Sequence, residues 1–309
     1  MSKIIIGTRG STLALIQARM VKSALQKALP GREFELKTIK TTGDIITDIP
    51  LEKIGDKGLF IKELENALLD HEIDLAVHSM KDLPTALPAG LKIGAIMARE
   101  KPGDVVIGRT PNLKLASLTV KARVGSSSLR RRAQLLHHYP YLDIQSIRGN
   151  LDTRLKKLQQ GDFEAIILAY AGVKRMGWED LITEEISTGI CLPAVGQGSI
   201  GLEIRQDDDK VAALVSELNC VQSEAAITAE RAFLRKLEGG CQVPIGALAK
   251  IKNGQLVLDG MVASLDGKVH YRETEKGAPS AADDIGIALA VRLLEQGCGN
   301  ILDQIRQEC

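Results

Sequence analysis

The chain has 309 residues, enough for two or three domains, and its 44% hydrophobic and 26% charged residues are ordinary values for a globular enzyme. Its 40 basic and 39 acidic residues leave a net charge of +1, and only 3% of its residues are aromatic. Nucleic-acid-binding proteins typically carry a basic surface or aromatic stacking platforms, so we expect no nucleic-acid partner. No apolar run is long enough to cross a bilayer, which predicts no membrane partner.

Five cysteines are spread along the sequence without a CxxC pair or another spacing typical of metal ligands. They are Cys191, Cys220, Cys241, Cys298 and Cys309. An odd number of widely spaced thiols predicts neither a disulfide framework nor a metal site, and it fits a reducing, cytoplasmic location. The first residues, MSKIIIGTRGS, hold only a short apolar run, which predicts a strand and not a signal peptide.

The first hundred residues alternate between strand and helix patterns. KIIIGT (residues 3–8) predicts a strand, and Ser11 is placed to cap the helix that follows. We predict the buried face of that helix from the recurring apolar residues Leu13, Ile16, Met20, Ala24 and Ala28. The strand patterns FELKTIK and DLAVHS come next, separated by the helix pattern GLFIKELENALLD. This order predicts a mostly parallel sheet with helices on both faces.

A second α/β pattern starts after the polar crossing REKPGD. Its strands and helices are predicted, in order, from ARVGSSS, LRRRAQLLHHY, LDIQSIRG, NLDTRLKKLQQG and EAIILAYAG. LPAVGQGSIGLEIR then adds another crossing and a strand. From about residue 219, a long helical segment, two alternating strand runs and a C-terminal helix predict an α+β part. We therefore predict one α/β domain from residues 1–98 and 196–217, a second from 103–192, and an α+β domain from 219–309.

Basic and hydroxyl side chains collect where predicted strands lead into helices. They are Arg9, Ser126, Ser127, Ser128, Arg130, Arg131, Arg148, Arg154, Lys174 and Arg175. In doubly wound sheets these positions converge on a crevice at the carboxyl ends of the strands, where helix N-termini also attract anions. Any one of these arginines could be a solvated surface charge. Their shared position predicts a cleft for a ligand with several negative charges.

The kind of anion stays open at this point. The sequence has no GxxxxGK[ST], and its GxGxxG match, GQGSIG at residues 196–201, precedes a predicted strand and does not open a helix, so nucleotide binding is weakly supported. Several separate arginines suit several separate carboxylates equally well. One basic run, LRRR, could also indicate a nucleic-acid binder, but a neutral chain with few aromatic residues gives that reading little support.

The strand-end turn in VHSMKDLP carries an acid, Asp82, beside Lys81 and near His78. Aspartate before Leu-Pro commonly caps a turn, and this reading and a functional one are about equally supported. In the functional reading, Asp82 is a carboxylate that stabilises a cationic intermediate. His78 could act as a general acid or base, although a single histidine in a strand is more often structural.

One thiol lies in an unusual context. In KLEGGCQVPIGALA, two glycines precede Cys241 and Pro244 follows it, which is how a sequence could hold a thiol on a loop. A small buried hydrophobic residue is the commoner role of a free cysteine. The residues around Cys241 leave both roles open.

The assembled motifs resemble those of the hydroxymethylbilane synthase (porphobilinogen deaminase) family from residue 4 almost to the C-terminus. They are GTRGSTLAL, GDKGLFIKELE, DLAVHSMKDLP, GSSSLRRRAQL, SIRGNLDTRL, AIILAYAGVKR, LPAVGQG and TAERAFLRKLEGGCQVPIGA. The resemblance implies two doubly wound domains like those of periplasmic binding proteins and a smaller third domain. It also implies an enzyme of tetrapyrrole biosynthesis that joins four porphobilinogen molecules head to tail, releases ammonia at each addition, and yields hydroxymethylbilane.

The same resemblance implies the site residues. Cys241 would carry a dipyrromethane cofactor through a thioether, and Asp82 would be catalytic, as a buried carboxylate touching the pyrrole N–H groups. The other residues implied to bind the cofactor are Lys81, Ser79, Ser128, Arg130, Arg131 and Gln197. The residues implied to bind substrate are Arg9, Ser11, Arg148, Arg154 and Arg175. The glycine-punctuated segment at 43–58 could be a lid, with Lys53 and Lys57 facing substrate carboxylates.

The implied partners are small. We expect porphobilinogen as substrate, a monomeric enzyme, and transfer of the product to the next enzyme of the pathway. The alternative is a two-lobed module that binds an anion or a carboxylate without catalysis, since a fold does not fix a function. The Gly-Gly-Cys loop argues against that alternative.

Overall fold

The computed structural model describes residues 3–41, 61–238 and 243–308. Its strands are β1 (Ile4–Arg9), β2 (Phe34–Ile39), β3 (Leu75–Ser79), β4 (Leu91–Ile96), β5 (Asp104–Gly108), β6 (Arg123–Gly125), β7 (Asp143–Gln145), β8 (Ala165–Ala169), β9 (Glu184–Glu185), β10 (Ile200–Arg205), β11 (Ile245–Lys252), β12 (Gln255–Ala263) and β13 (His270–Gly277). Its α-helices are α1 (Thr12–Ala28), α2 (Lys62–Leu69), α3 (Leu129–His138), α4 (Leu151–Gln159), α5 (Tyr170–Arg175), α6 (Asp209–Ser216), α7 (Val221–Lys236), α8 (Ala282–Glu295) and α9 (Cys298–Glu308).

The strands form three sheets, ordered β2-β1-β3-β10-β4, β7-β6-β8-β5-β9 and β11-β12-β13. In each five-stranded sheet four strands run in one direction, and the fourth in spatial order, β10 or β5, runs against its neighbours. The third sheet is an antiparallel meander. The predicted fold class, two α/β sheets followed by an α+β part, is confirmed.

The chain divides into two compact units. The first consists of Met1–Glu100 and Ser199–Glu224, and the second of Lys101–Gly198 and Ala225–Cys309. The first unit holds the first sheet, and the second unit holds the other two sheets. The three-domain boundaries stay a prediction.

In the first unit, helices cover both faces of the sheet because buried side chains alternate along its strands. One face packs with α1 and α6 around Ile6, Leu75, Val77 and Leu202. The other face carries Ala76 and packs with Leu64 and Leu68 of α2. The predicted strands and helices of this part thus form the expected layers.

The predicted buried face of α1 is wrong. Gln17, Ala18, Val21 and Leu25 are the buried residues of the helix, whereas Met20 is 43% exposed and Ala28 is also exposed. The first turns of α1 are apolar on several sides, so the periodicity offers more than one possible stripe. The buried stripe is the one that faces the first sheet, where Ala18, Val21 and Leu25 pack against its strands.

In the second unit, the C-terminal meander is covered by helices that follow and precede it. Phe233 of α7, Leu289 and Leu293 of α8, and Leu302 of α9 form one core with the strands. A second, smaller cluster joins Ala133 of α3 to Met261 of β12. Strand β11 comes from the IGALA run, to which the sequence analysis had assigned no strand.

No single described helix is long and apolar enough to cross a membrane. The segments Pro279–Glu295 and Cys298–Gln307 meet that length and composition only when taken together, and they are bent by 85°.

Candidate active site

A pocket opens in the first unit at the carboxyl ends of the adjacent parallel strands β1 and β3. We call it the strand-end pocket and define it by Arg9, Gln17, Ile61, His78, Ser79 and Asp82. Four residues that the sequence analysis selected line it, namely Arg9, Ser11, Ser79 and Asp82. Strand ends of this kind are where open α/β sheets place their ligands.

Local structure fixes three of these side chains. Arg9 is the last residue of β1, and Ser11 is the N-cap of α1, where its Oγ accepts a hydrogen bond from the backbone N–H of Ala14 at 3.4 Å. Ser79 ends β3, and its Oγ accepts a hydrogen bond from Nε2 of Gln17 at 2.9 Å. The strand-to-helix turns therefore direct polar side chains into one space.

Asp82 closes the 3₁₀ helix Met80–Asp82 that follows β3. The family resemblance implied a buried carboxylate, but the Asp82 side chain is exposed and Lys81 beside it is half-buried. The 3₁₀ turn at the strand end is the reason, because it carries Asp82 beyond the sheet while leaving it on the pocket lining. A solvated carboxylate at this position is available to a ligand in the pocket.

The sequence analysis missed two residues of this region. Gln17 is 4% exposed and ties α1 to Ser79. Glu203 of β10 is fully buried, and its Oε2 lies 2.9 Å from Nε2 of His78. A glutamine inside an apolar helix stripe and a glutamate inside the strand run IGLEIR were the signals that could have indicated both.

In the second unit, two predicted arginines converge on one buried acid. Asp104 opens β5, and its carboxylate accepts hydrogen bonds from Nη1 of Arg130 at 2.9 Å and from Nη2 of Arg131 at 2.7 Å. Nε2 of Gln197 donates to the same carboxylate at 2.8 Å. We call these four residues the Asp104 cluster. The sequence analysis read Asp104 only as part of a polar crossing; an acid directly before the apolar run VVIG was the missed signal.

Burial by itself would raise the pKa of Asp104, but the charges of Arg130 and Arg131 hold that pKa well below its usual range. Both arginines are almost fully buried. Their Nε atoms are also buried, and within the described residues these two atoms have no hydrogen-bond partner. Cys191 lies in the same cluster, where burial raises the pKa of its thiol to about 12. The Asp104 cluster therefore lies beside a neutral thiol and holds two N–H groups that no described residue accepts from.

Four further predicted residues lie near the strand ends of the second unit. Ser128 is the N-cap of α3 and accepts from the backbone N–H of Arg131 at 3.4 Å. Nε of Arg154 donates to the carbonyl of Gly149 at 2.9 Å, and Nη2 of Arg175 donates to the carbonyl of Gly198 at 2.7 Å. Arg148 follows β7 and is half-buried.

A neighbouring serine holds the loop of Arg148 in place. Ser127 Oγ donates to the carbonyl of Ile147 at 2.6 Å and accepts from the backbone N–H of the same residue at 3.0 Å. These bonds tie the loop after β6 to the loop after β7. Arg148 thus follows a residue that is held by two hydrogen bonds to Ser127.

Three of the predicted site residues lie outside the described part of the chain. They are Lys53, Lys57 and Cys241. Their assigned roles stay predictions.

Comparison with protein families gives two matches that together span most of the chain. A model described as "Porphobilinogen deaminase, dipyromethane cofactor binding domain" matches residues 4–213. A second, described as "Porphobilinogen deaminase, C-terminal domain", matches residues 225–295.

Curated relatives that bear the name porphobilinogen deaminase are similar over almost their whole length. The relative from Carboxydothermus hydrogenoformans is 53% identical over 306 residues, which cover 99% of this chain and 98% of the relative. The relative from Pelotomaculum thermopropionicum is 54% identical over 306 residues, with coverage of 99% and 98%. The relative from Moorella thermoacetica is 53% identical over 308 residues, with coverage of 100% and 98%.

Solved structures show weaker similarity. The VFT2 domain of Bordetella pertussis BvgS is 14% identical, with a TM-score of 0.45 over 74% of this chain and 91% of that domain. The periplasmic aliphatic sulphonate binding protein SsuA from Escherichia coli is 14% identical, with a TM-score of 0.43 over 77% of this chain and 71% of SsuA. Similarity at this level adds nothing to the fold assignment, which rests on the sheet topology.

Proposed function

The chain belongs to the porphobilinogen deaminase family, and on this premise we propose which of its residues carry the reaction. The activity is that of a hydroxymethylbilane synthase with a dipyrromethane cofactor, and porphobilinogen is the substrate. We propose that the strand-end pocket is where the reacting rings bind and that Asp82 is the catalytic carboxylate. The observation that carries this proposal is the convergence of Arg9, Ser79 and Asp82 on one pocket.

The chemistry of the substrate explains the need for these groups. Loss of ammonia from an aminomethyl pyrrole leaves a ring that carries positive charge. A carboxylate aimed at that ring stabilises it electrostatically, which is the role we assign to Asp82. Each ring also bears carboxylate side groups, and a guanidinium matches a carboxylate with two parallel hydrogen bonds, which suits Arg9. Ser11 would add a hydroxyl donor beside it.

The residues of the second unit fit a cofactor with several carboxylates. Arg130 and Arg131 each bind Asp104 through one edge of the guanidinium, and their buried Nε atoms are donors that nothing in the described chain uses. We propose that these two arginines, with Ser128 and Gln197, hold the cofactor in place. In the first unit we assign Lys81, Ser79 and Asp82 to the same cofactor, and Cys241 would be its point of attachment. When bound, the cofactor supplies the free ring carbon to which the first substrate is joined.

We assign the remaining strand-end arginines to the substrate. Arg148, Arg154 and Arg175 would bind the carboxylates of incoming rings, together with Lys53 and Lys57 from the proposed lid. We further propose three domains with the boundaries 1–98 with 196–217, 103–192 and 219–309. The protein would act as a monomer in the cytoplasm and hand its product to the next enzyme of the pathway.

Intact-protein mass spectrometry tests the attachment, and a turnover assay tests the pocket. We expect the purified protein to exceed its sequence mass by two pyrrole units and Cys241→Ser to lack that excess.

Asp82→Ala should keep its fold and lose on the order of 10²–10³-fold in kcat, the usual cost of removing an electrostatic stabiliser. Asp162→Ala, at an exposed turn, is the matched control and should retain activity. A mass excess that persists in Cys241→Ser, or normal turnover in Asp82→Ala, would contradict the proposal.

A further inference from the structure

One residue of the strand-end pocket, His78, belongs to a buried histidine–glutamate pair. His78 of β3 is 5% exposed, Glu203 of β10 is 0% exposed, and His78 Nε2 lies 2.9 Å from Glu203 Oε2. The strands are antiparallel neighbours, with Gly201 opposite His78 and Glu203 opposite Ala76. The two side chains are therefore diagonal neighbours on one face of the sheet, the face that α2 covers. Burying two ionisable groups has a desolvation cost that their mutual attraction and hydrogen bonds must offset.

The surroundings of the pair are acidic. The second carboxylate oxygen of Glu203, Oε1, is buried and accepts no hydrogen bond from any described residue. Glu65 of α2 lies close by: burial raises its pKa, the charge of Glu203 raises it further, and His78 lowers it. Arg9 and Asp82 line the same pocket from the ends of β1 and of the 3₁₀ turn. The carboxyl groups of Glu203 and Glu65 thus lie near the imidazole of His78. Arg9 and Asp82 are the charged residues of the same pocket.

The ionisation of Glu203 decides which ring nitrogen of His78 carries the proton. With Glu203 as a carboxylate, which can only accept hydrogen bonds, Nε2 of His78 is the donor of this bond. In a neutral imidazole Nδ1 then has the free lone pair, and Nδ1 has no hydrogen-bond partner among the residues that the structure describes. His78 is one of the residues that line the strand-end pocket, and its side chain is 4% exposed.

We infer that His78 is the proton acceptor of the condensation and that Glu203 is the residue that orients it. In each addition the aminomethyl C–N bond breaks and its electron pair leaves on ammonia. A C–C bond forms to the free carbon of the acceptor ring, and the C–H bond at that carbon must then break. His78 Nδ1 takes this proton while the C–H electron pair returns to the ring, and it passes the proton to the ammonia, which leaves as ammonium. No co-reactant is needed.

This inference rests on the proposed reaction site, and it assigns different roles to two of its residues. Asp82 stabilises positive charge on the rings, whereas His78 moves the proton. A structural histidine would instead only fill space and satisfy Glu203. If His78 is the proton acceptor, a small base that enters the space left by its side chain should restore turnover. If His78 is only structural, such a base should not restore turnover.

Chemical rescue of His78→Ala in the full-length, cofactor-loaded enzyme provides the test. We expect kcat to fall by roughly 10²–10⁴-fold, as when a general base is removed, with KM little changed. Added imidazole should restore part of kcat. Pyrazole, which has the same shape and is a much weaker base, should not. Normal kcat in the variant, equal rescue by both compounds, or no rescue by imidazole would overturn the inference. His71→Asn, which removes an exposed imidazole at a positive φ of 57°, is the control and should behave like the wild type.

A second measurement does not depend on activity or on how the alanine variant folds. In ¹⁵N NMR spectra of the histidine rings, with His78 assigned through His78→Gln, we expect a proton on Nε2 and none on Nδ1. Glu203→Gln should abolish this preference, because an amide can donate as well as accept. A wild-type ring with the proton on Nδ1 would overturn the inference. Loss of turnover in Asp82→Ala together with normal turnover in His78→Ala would reject the role of His78 alone, whereas full turnover in Asp82→Ala would reject the site itself.

Discussion

At the scale of single residues, Asp104 determines how two arginines can be buried. A guanidinium cannot lose its charge, so a buried arginine needs a counter-ion or a ligand. Asp104 provides one carboxylate oxygen to each of Arg130 and Arg131, and Gln197 binds the same carboxylate. The pair of arginines is thereby held in one orientation before any anionic ligand arrives, which reduces the entropy that binding would lose.

Asp104→Asn should destabilise the fold strongly, because it leaves two buried guanidinium groups without a counter-ion. We expect a loss of about 3–5 kcal/mol in the free energy of unfolding. Asp283→Asn removes the acid of an exposed pair with Arg235, whose atoms are 2.7 Å apart, and it should cost at most about 1 kcal/mol. Urea denaturation of both variants checks this. Equal effects of the two substitutions would show that the Asp104 cluster does not stabilise the fold.

At the scale of elements, a glycine lets helices α7 and α8 pack closely. A Cβ placed on Gly286 would lie 2.3 Å from the carbonyl oxygen of Ala229 and 2.7 Å from Cβ of Ala232. Helix α7 ends at Lys236, shortly before the Gly-Gly-Cys motif in the sequence. Close packing of two backbones requires small residues at the contact, and here one position allows no side chain at all.

Gly286→Ala should therefore destabilise the C-terminal core by roughly 1–3 kcal/mol, the usual cost of overpacking. Gly299→Ala is the matched control in helix α9, where the nearest atom to the added Cβ would be Leu294 Cδ2 at 3.5 Å, an ordinary contact. That change should stabilise the protein by about 0.5–1 kcal/mol, because alanine is the better helix former. Thermal unfolding of the two variants should give shifts of opposite sign; shifts of the same sign would contradict the packing argument.

At the scale of the whole molecule, stability depends on histidines that join two parts of the second unit. His137 at the end of α3 stacks on His270 of β13 with ring centroids 4.9 Å apart, and His137 Nδ1 lies 2.9 Å from the carbonyl oxygen of Gly267. Burial, followed by the charges of His137 and Arg272, lowers the pKa of His270 to about 4. The pKa of His138 is lowered as well, first by burial. Folding therefore opposes the protonation of this cluster.

Stability should fall as the pH is lowered from about 6.5 to about 4. In this window the unfolded chain binds a proton at His270, whose unperturbed pKa is about 6.5, and the folded chain does not, so acid favours unfolding. Between pH 7 and pH 5 we expect His270 to account for a loss on the order of 1 kcal/mol, after discounting for solvent screening. Urea midpoints of wild type and His270→Gln at both pH values measure this. An equal pH dependence in the two proteins would contradict it, and His71→Asn should retain the wild-type dependence.

Many of the strands and helices, and the polar residues at their junctions, could be predicted from the sequence because periodicity and capping are local properties, although β11 could not. Ser11 and Ser128 cap the helices that the sequence predicted, and Asp82 follows β3 on a turn. The family, too, could be identified from the motifs alone. These features depend on residues a few positions apart, so a single chain displays them directly.

Only the tertiary structure decided which apolar stripe of α1 is buried, that Asp104 binds Arg130 and Arg131, and that Glu203 binds His78. The last pair is 125 positions apart in the sequence, and the Asp104 pairs are 26 and 27 positions apart. Such contacts depend on strand order and direction, above all on the reversed strands β10 and β5, and no local pattern specifies either. The reversed strands bring Glu203 and Asp104 to histidine and arginine side chains that only the folded sheets place beside them.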